Sequence, residues 1–196
     1  MEIAAAAFAR GATQGSEVAG LVRVSASEVI SVEILPPILA DLRRRHPQLV
    51  VALSPNNRNE DLLRREADVA VRMVRPAQGA LVARRIGDIH VGLHVRAELL
   101  AGRAAPATFE EVIAFGLIGV ESDNAVVRAM RAGGIPIRVE DFAFRTDSDL
   151  AQMAALRAGL GIGVCQVPLA ARDPALVRIL PDAFSHPLDT WVVMHE

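Results

Sequence analysis

The chain has 196 residues, 52% of them hydrophobic, enough for the packed core of one large domain or two small lobes. A formal net charge of -2 gives no sign of a nucleic-acid surface, and the one basic cluster, Arg43-Arg44-Arg45, closes a predicted helix, where cations complement the dipole. The single cysteine, Cys165, rules out an internal disulfide and fits a reducing compartment, while "IAAAAFA" lacks a basic n-region and no apolar run reaches the roughly 18 residues of a membrane span, so a cytoplasmic location is expected.

Residues 2 to about 10 are alanine-rich and helical in pattern, and "GATQGSEVAG" breaks that pattern as a linker. A strand follows at Leu21-Val22-Arg23-Val24 and ends at Ser25-Ala26-Ser27. Leu35-Pro36-Pro37 must interrupt or start a helix, because both prolines lack an N–H and the first pushes Leu35 out of the helical region. From Pro37, the residues Ile38, Leu39 and Leu42 line one helical face up to Arg45. "LVVALSP" (49 to 55) reads as a strand, "NEDLLRRE" (59 to 66) as a short helix and "ADVAVRM" (67 to 73) as a strand, completing a β-α-β-α-β run. Two strand-like stretches, "LVARRIG" and "IHVGLHV", lead to a second unit of helix "TFEEVIAF", strand "GLIGV", helix "AVVRAMRAG" and strand "RVEDFAFRT". Asp147 to Ala158 is a helix with Asp147 or Ser148 as its N-cap, and "LVRIL" and "TWVVMHE" close the chain as strands.

The glycine-dense "LRAGLGIGVCQVP" (156 to 168) invites a dinucleotide reading, but that fingerprint needs strand, glycines, then helix. Here a helix comes first and a strand, with Ile162, Val164 and Val167, comes after. Gly159 then serves as the left-handed residue that ends the helix, and Gly161 and Gly163 as places of close backbone approach. Other groups have equally plain readings. His90 and His94 would share a face on a helix, but in a strand that spacing separates them by roughly 13 Å, so no metal site is expected. Glu110 and Glu111 follow Thr108 at a helix start, where they serve capping and the dipole. Ser25, Ser27 and Cys165 have no His-plus-acid partner in a nucleophile motif, and Cys165 between Val164 and Val167 reads as an inert buried thiol. No catalytic residue and no cofactor is expected.

Five segments in this order, "GLVRVSAS", "ILPPILADLRRRHPQL", "NEDLLRREADVAVRM", "DSDLAQMAALRAGLGIGVCQVPLA" and "LVRILPD", resemble the effector-binding domain of LysR-type transcriptional regulators from about Gly20 to the C-terminus. The resemblance implies an α/β fold of the type 2 periplasmic-binding-protein kind, with two Rossmann-like lobes joined by a two-segment hinge around a small-molecule cleft. It divides the chain into a linker-helix end and linker (1–19), a first lobe (20–94 and 167–196) and a second lobe (95–166), with "GLGIGVCQVP" returning the chain to the first lobe. It further implies a side-by-side antiparallel homodimer using the helix from Pro37 to Arg45, a tetrameric parent protein, and DNA contact only through a winged helix-turn-helix domain that these residues do not include. An extracytoplasmic solute-binding protein and an enzyme on the same bilobed fold remain the competing readings, because fold alone does not fix function.

In open α/β sheets ligands gather beyond the carboxyl ends of strands, where helix N-termini present free N–H groups. That rule selects Ser25 and Ser27 after the first strand, Asn56 and Asn57 after the second, and Arg72 near the end of the third. From the second unit it selects Ser122 after "LIGV" and Thr146 and Asp147 after "VEDFAFR", with Gln166 at the hinge. The family resemblance agrees most closely at Ser25, at the loop containing Asn56 and near Thr146. Together these residues predict a donor-rich site with one arginine, suited to a small anionic or hydroxylated effector.

Overall fold

The computed structural model describes residues 18–57, 67–74 and 81–195. The expected alanine-rich helix near the N-terminus and the short helix over 59–66 lie outside the described residues. Contacts divide the chain into two compact units, Met1–Asp88 with Leu188–Glu196, and Ile89–Pro187. Residues 89–94 and 167–187 thus fall in the second unit, where the sequence analysis assigned them to the first lobe. The reason is antiparallel pairing, which ties Val91 to Gln166 and Arg96 to Leu176.

In the first unit, β1 (Gly20–Ala26) pairs in parallel with β2 (Leu49–Pro55) and with β3 (Val69–Arg72). β9 (His186–His195) runs antiparallel to β3, with Ala70 opposite Val193 and Arg72 opposite Trp191. Parallel strands covered by helices are expected to read as apolar runs, and Val22, Val24, Ala26, Val69, Ala70 and Val71 are all buried. The helix after β1 starts earlier than Pro37. A π-helical turn, Ile30–Ile34, leads directly into α1 (Leu35–Arg45). The prolines explain that turn: Pro36 and Pro37 have no N–H to continue an α ladder, and the N–H of Leu35 reaches one residue further back, to the carbonyl of Ile30. α1 buries Leu35 and Leu42, while Arg43, Arg44 and Arg45 stand in its last turn and Asp41 pairs with Arg44 at 2.9 Å and Arg45 at 3.1 Å.

The two strand-like stretches after residue 80 form one continuous strand, β4 (Leu81–Arg96). Its last residues, in the second unit, are flanked by β7 (Gly163–Gln166) on one edge and β8 (Leu176–Ile179) on the other, both antiparallel. Beside them β5 (Leu117–Gly119) pairs in parallel with β6 (Phe142–Arg145), and Leu117 bridges to Ile162 just before β7. The stretch read as strand "RVEDFAFRT" begins instead with a 3-10 turn over Val139–Asp141. Four helices complete this unit: α2 (Phe109–Gly116), α3 (Ala125–Ala132), α4 (Asp149–Arg157) and the short α5 (Val167–Ala170), the last unforeseen in the sequence. Their N-caps follow from residue chemistry. Thr108 accepts from Glu111 N–H, Asn124 from Val126 and Val127, and Ser148 from Ala151, so the capping role expected near Glu110 and Glu111 holds. One core joins Leu93, Val95, Val112, Leu117, Ile162 and Ile179.

The glycine-dense stretch returns the chain from α4 to β7. Gly159 adopts φ +75 after Ala158, the left-handed conformation that ends a helix. Gly161 passes so near the end of α2 that an added Cβ would lie 2.3 Å from the carbonyl oxygen of Gly116. Gly163 differs, because its added Cβ would meet only side chains, the nearest being Leu156 at 3.4 Å, so the expected backbone approach is found at Gly161 alone. Gly161→Ala should therefore cost about 1–3 kcal/mol through forced backbone movement, and Gly163→Ala distinctly less. Urea unfolding of both variants checks this, and equal midpoint losses would contradict it.

Candidate functional site

The parallel register places the ends of β1, β2 and β3 side by side, with Ala26 opposite both Pro55 and Val71. Four contacts knit this edge. Ser25 is 2% exposed and its hydroxyl accepts from Arg72 Nη2 at 2.8 Å, while Nη1 of Arg72 donates to the carbonyl of Val71 at 3.2 Å. The backbone N–H of Asn56 donates to Ala26 at 2.8 Å. Asn57 Oδ1 accepts from the N–H of Glu28 at 3.0 Å, so a residue from the β2 loop satisfies the start of the helix that follows β1. Ser27 stands at that helix start and its carbonyl accepts from Ser31 at 2.8 Å. Ser25, Ser27, Asn56, Asn57 and Arg72 are therefore brought together. Arg72 is itself only 3% exposed, a guanidinium taken out of water, which raises the worth of every hydrogen bond offered to it.

Sequence reasoning missed Ser31, which is 2% exposed and donates from Oγ to Ala26 at 3.1 Å. A hydroxyl between Ile30 and Val32 in an apolar run was the available signal.

In the second unit, Ser122, Thr146 and Asp147 gather beyond β5 and β6. Thr146 N–H donates to Gly119 at 2.9 Å, and its Oγ1 accepts from Ser148 N–H at 3.2 Å. Asp147 does not cap α4. Its carboxylate turns to the other loop, accepting from Glu121 N–H at 3.0 Å and Ser122 Oγ at 3.4 Å. Gln166 is buried at the end of β7, where it pairs with Val91. A separate surface depression of about 490 Å³ is lined by Glu110, Ile113, Arg131, Ile137, Arg138 and Asp141, none of which the strand-end rule selects. Its arginines are bonded to acids, Arg131 to Asp123 and Arg138 to Asp141 at 3.1 Å.

The histidines sit as the strand reading requires. His90 Nδ1 lies 3.1 Å from Ser185 Oγ near solvent, whereas His94 is 2% exposed with Nδ1 3.0 Å from the carbonyl of Gly92. Burial pushes the His94 imidazole below its ordinary value; the Gly92 carbonyl opposes that shift and the Arg178 charge adds to it. Cys165 is buried with its Sγ 3.8 Å from Met153 Sδ. Among the described residues no group of three His, Cys, Asp or Glu could hold a metal ion, and no helix is long and apolar enough to cross a membrane.

The first unit thus gathers polar side chains where its parallel strands end, and the second gathers hydroxyls at a helix start. The family model for the LysR substrate binding domain matches residues 15–196, and the chain belongs to that family, the effector-binding domain of LysR-type regulators with its type 2 periplasmic-binding-protein-like fold. It is similar to the regulatory domain of CrgA, a LysR-type transcriptional regulator from Neisseria meningitidis, at 21% identity over 91% of this chain and 90% of that one, with a TM-score of 0.76. Against the longer structure of CrgA the match covers 99% of this chain and 67% of that one, with a TM-score of 0.80. The Mau operon transcriptional activator of Paracoccus denitrificans is 35% identical over 71 residues, which span 36% of this chain and 25% of the activator.

The helix start after β1 offers a direct check on how the first cluster is held. Asn57→Ala should leave Glu28 N–H without its side-chain acceptor and cost about 0.5–2 kcal/mol, the usual range for a lost cap. Thermal unfolding measures the loss, and amide exchange at residue 28 should quicken with it. An unchanged melting temperature would show that water satisfies the helix as well as Asn57 does.

Proposed function

We propose that this chain senses a small hydroxylated or anionic effector for a LysR-type transcription regulator and performs no chemistry on it. One observation carries the reading: the Arg72 guanidinium, buried at the edge where β1, β2 and β3 end, bonds the Ser25 hydroxyl beside a helix start. A cation and a hydroxyl held there recognise a carboxylate or an oxygen-rich ligand through charge-assisted hydrogen bonds. In the second unit Asp147 already carries negative charge into the loop of Ser122, so that cluster favours hydroxyl or ammonium groups over a second anion. Ser25, Ser27, Asn56, Asn57 and Arg72 form the proposed cluster of the first unit, and Ser122, Thr146 and Asp147 that of the second, to which Gln166 also belongs.

The partners follow from the same reading. A second copy of the chain would meet α1, whose approach carries Val32 at 48% exposure. DNA recognition would fall to another domain of a longer, cytoplasmic protein, tetrameric when whole. If one arrangement of that protein binds effector 10- to 100-fold more tightly than another, the coupling is about 1.4–2.7 kcal/mol, enough to shift its DNA-binding state.

A thermal-shift screen of organic acids, amino acids and polyols should yield a stabilising ligand, worth about 2.7 kcal/mol at 100 times its dissociation constant. Calorimetry of that ligand against Ser25→Ala, Asn56→Ala, Arg72→Ala and Thr146→Ala should then show the largest loss at Arg72, tenfold or more. Four folded variants binding as tightly as the parent chain would refute the site. The chain alone should also fail to shift duplex DNA specifically, and size-exclusion chromatography should show it self-associating.

A further inference from the structure

His94 has no part in the proposed effector site, yet it is buried at 2% exposure among the strands of the second unit. Strand geometry defines those surroundings. Cross-strand partners share a face and residues two apart on a strand share a face, so Gly92, His94 and Arg96 of β4 lie on one side with Cys165 of β7 and Arg178 of β8. His94 stands opposite Gly163 on one edge and Arg178 on the other. Gly92 leaves room for the arginine, whose Nε lies 2.8 Å from where a Gly92 Cβ would be. Among the described residues Arg178 forms no ion pair, and its Nη2 has only the carbonyl of Pro181 at 3.5 Å. Arg96 is held by Glu98 at 2.9 Å and donates to the Arg157 carbonyl at 2.8 Å. His90, further along the same face, is exposed beside Ser185. The charged and titratable groups on this face are thus His90, Arg96, Cys165 and Arg178, with Glu98 taken up by Arg96.

We propose that His94 is an acid-responsive latch on β8: neutral, it lets Leu176–Ile179 pair with β4, and protonated, it sets a second cation against Arg178 and releases that strand. A buried imidazolium there meets the Gly92 carbonyl and, among the described residues, no carboxylate is bonded to it. The direction of the response follows from linkage. A histidine held below its ordinary value of 6.5 binds fewer protons folded than unfolded, so pairing is unpenalised above that pH and weakens as pH falls below it. The released segment lies close to α5 in sequence, and α5 follows Gln166, so acidification bears on the part of the second unit that carries that candidate residue.

Hydrogen exchange on the 196-residue chain at pH 7.5 and 5.5, corrected for intrinsic rates, tests the latch. Amides of Val177 to Ile179 should lose protection on acidification, by up to about tenfold at pH 5.5, one unit below the ordinary histidine value. Those of Val22 to Ala26 in the first unit should not. His94→Gln should abolish the pH dependence at β8 whatever it does to overall stability. Should that variant fail to fold, Arg178→Gln serves, because it should raise the His94 titration read by NMR of the imidazole. A His94 ring titrating at or above 6.5 in the unsubstituted chain, parallel loss of protection in both units, or the same β8 response in His94→Gln would each overturn the proposal.

Discussion

The parallel pairing of β1 with β2 and β3 is the constraint from which the first unit's chemistry derives. Parallel strands must all finish on the same edge, so Ser25, Asn56 and Arg72, distant in sequence, arrive together without any local motif linking them. The same pairing buries Val24, Ala26, Val69 and Val71 and draws polar groups together at that edge. Arg72 and Ser25 meet for this reason. Burying a guanidinium is costly unless its hydrogen bonds are met, and at 3% exposure Arg72 meets them in part through Ser25 and Val71. The second unit reaches a comparable cluster differently, through helix caps and a carboxylate that bridges two loops.

Much of this was legible before any coordinates. Thr108 and Ser148 announce their helices because each places a side-chain oxygen before a run of helical period, and both accept the hydrogen bonds that role predicts. The order helix, glycines, strand excluded a phosphate loop on geometry alone. What the sequence hid were non-local effects. The π turn before Leu35 arises because two adjacent prolines require a register shift several residues upstream, which no periodicity of apolar residues records. Asp147 reads equally well as a cap and as a bridge to another loop, and only the tertiary position of Glu121 decides between them. The Gly163 reading failed for a related cause: a glycine in a strand shows that something is close, not whether it is backbone or side chain.

The two units also use small residues in opposite ways. In the second, Gly161 lets two backbone segments meet, and Gly92 admits a cation across the strand. In the first, small residues such as Ser25, Ala26 and Ala70 let the strand ends and the following helix start approach one another. Substitutions at these positions therefore act by displacing backbone, and their effects spread further than the loss of one contact.

The reach of Asn57 to Glu28 spans 29 residues, and this separation has a consequence for the order of folding. A helix capped by its own neighbour can form its first turn alone, but this one gains its acceptor only after β2 has docked on β1 and the intervening loop has closed. Until that closure the start of this helix has no side-chain acceptor from Asn57, so its capping is a product of strand pairing and not of the local sequence.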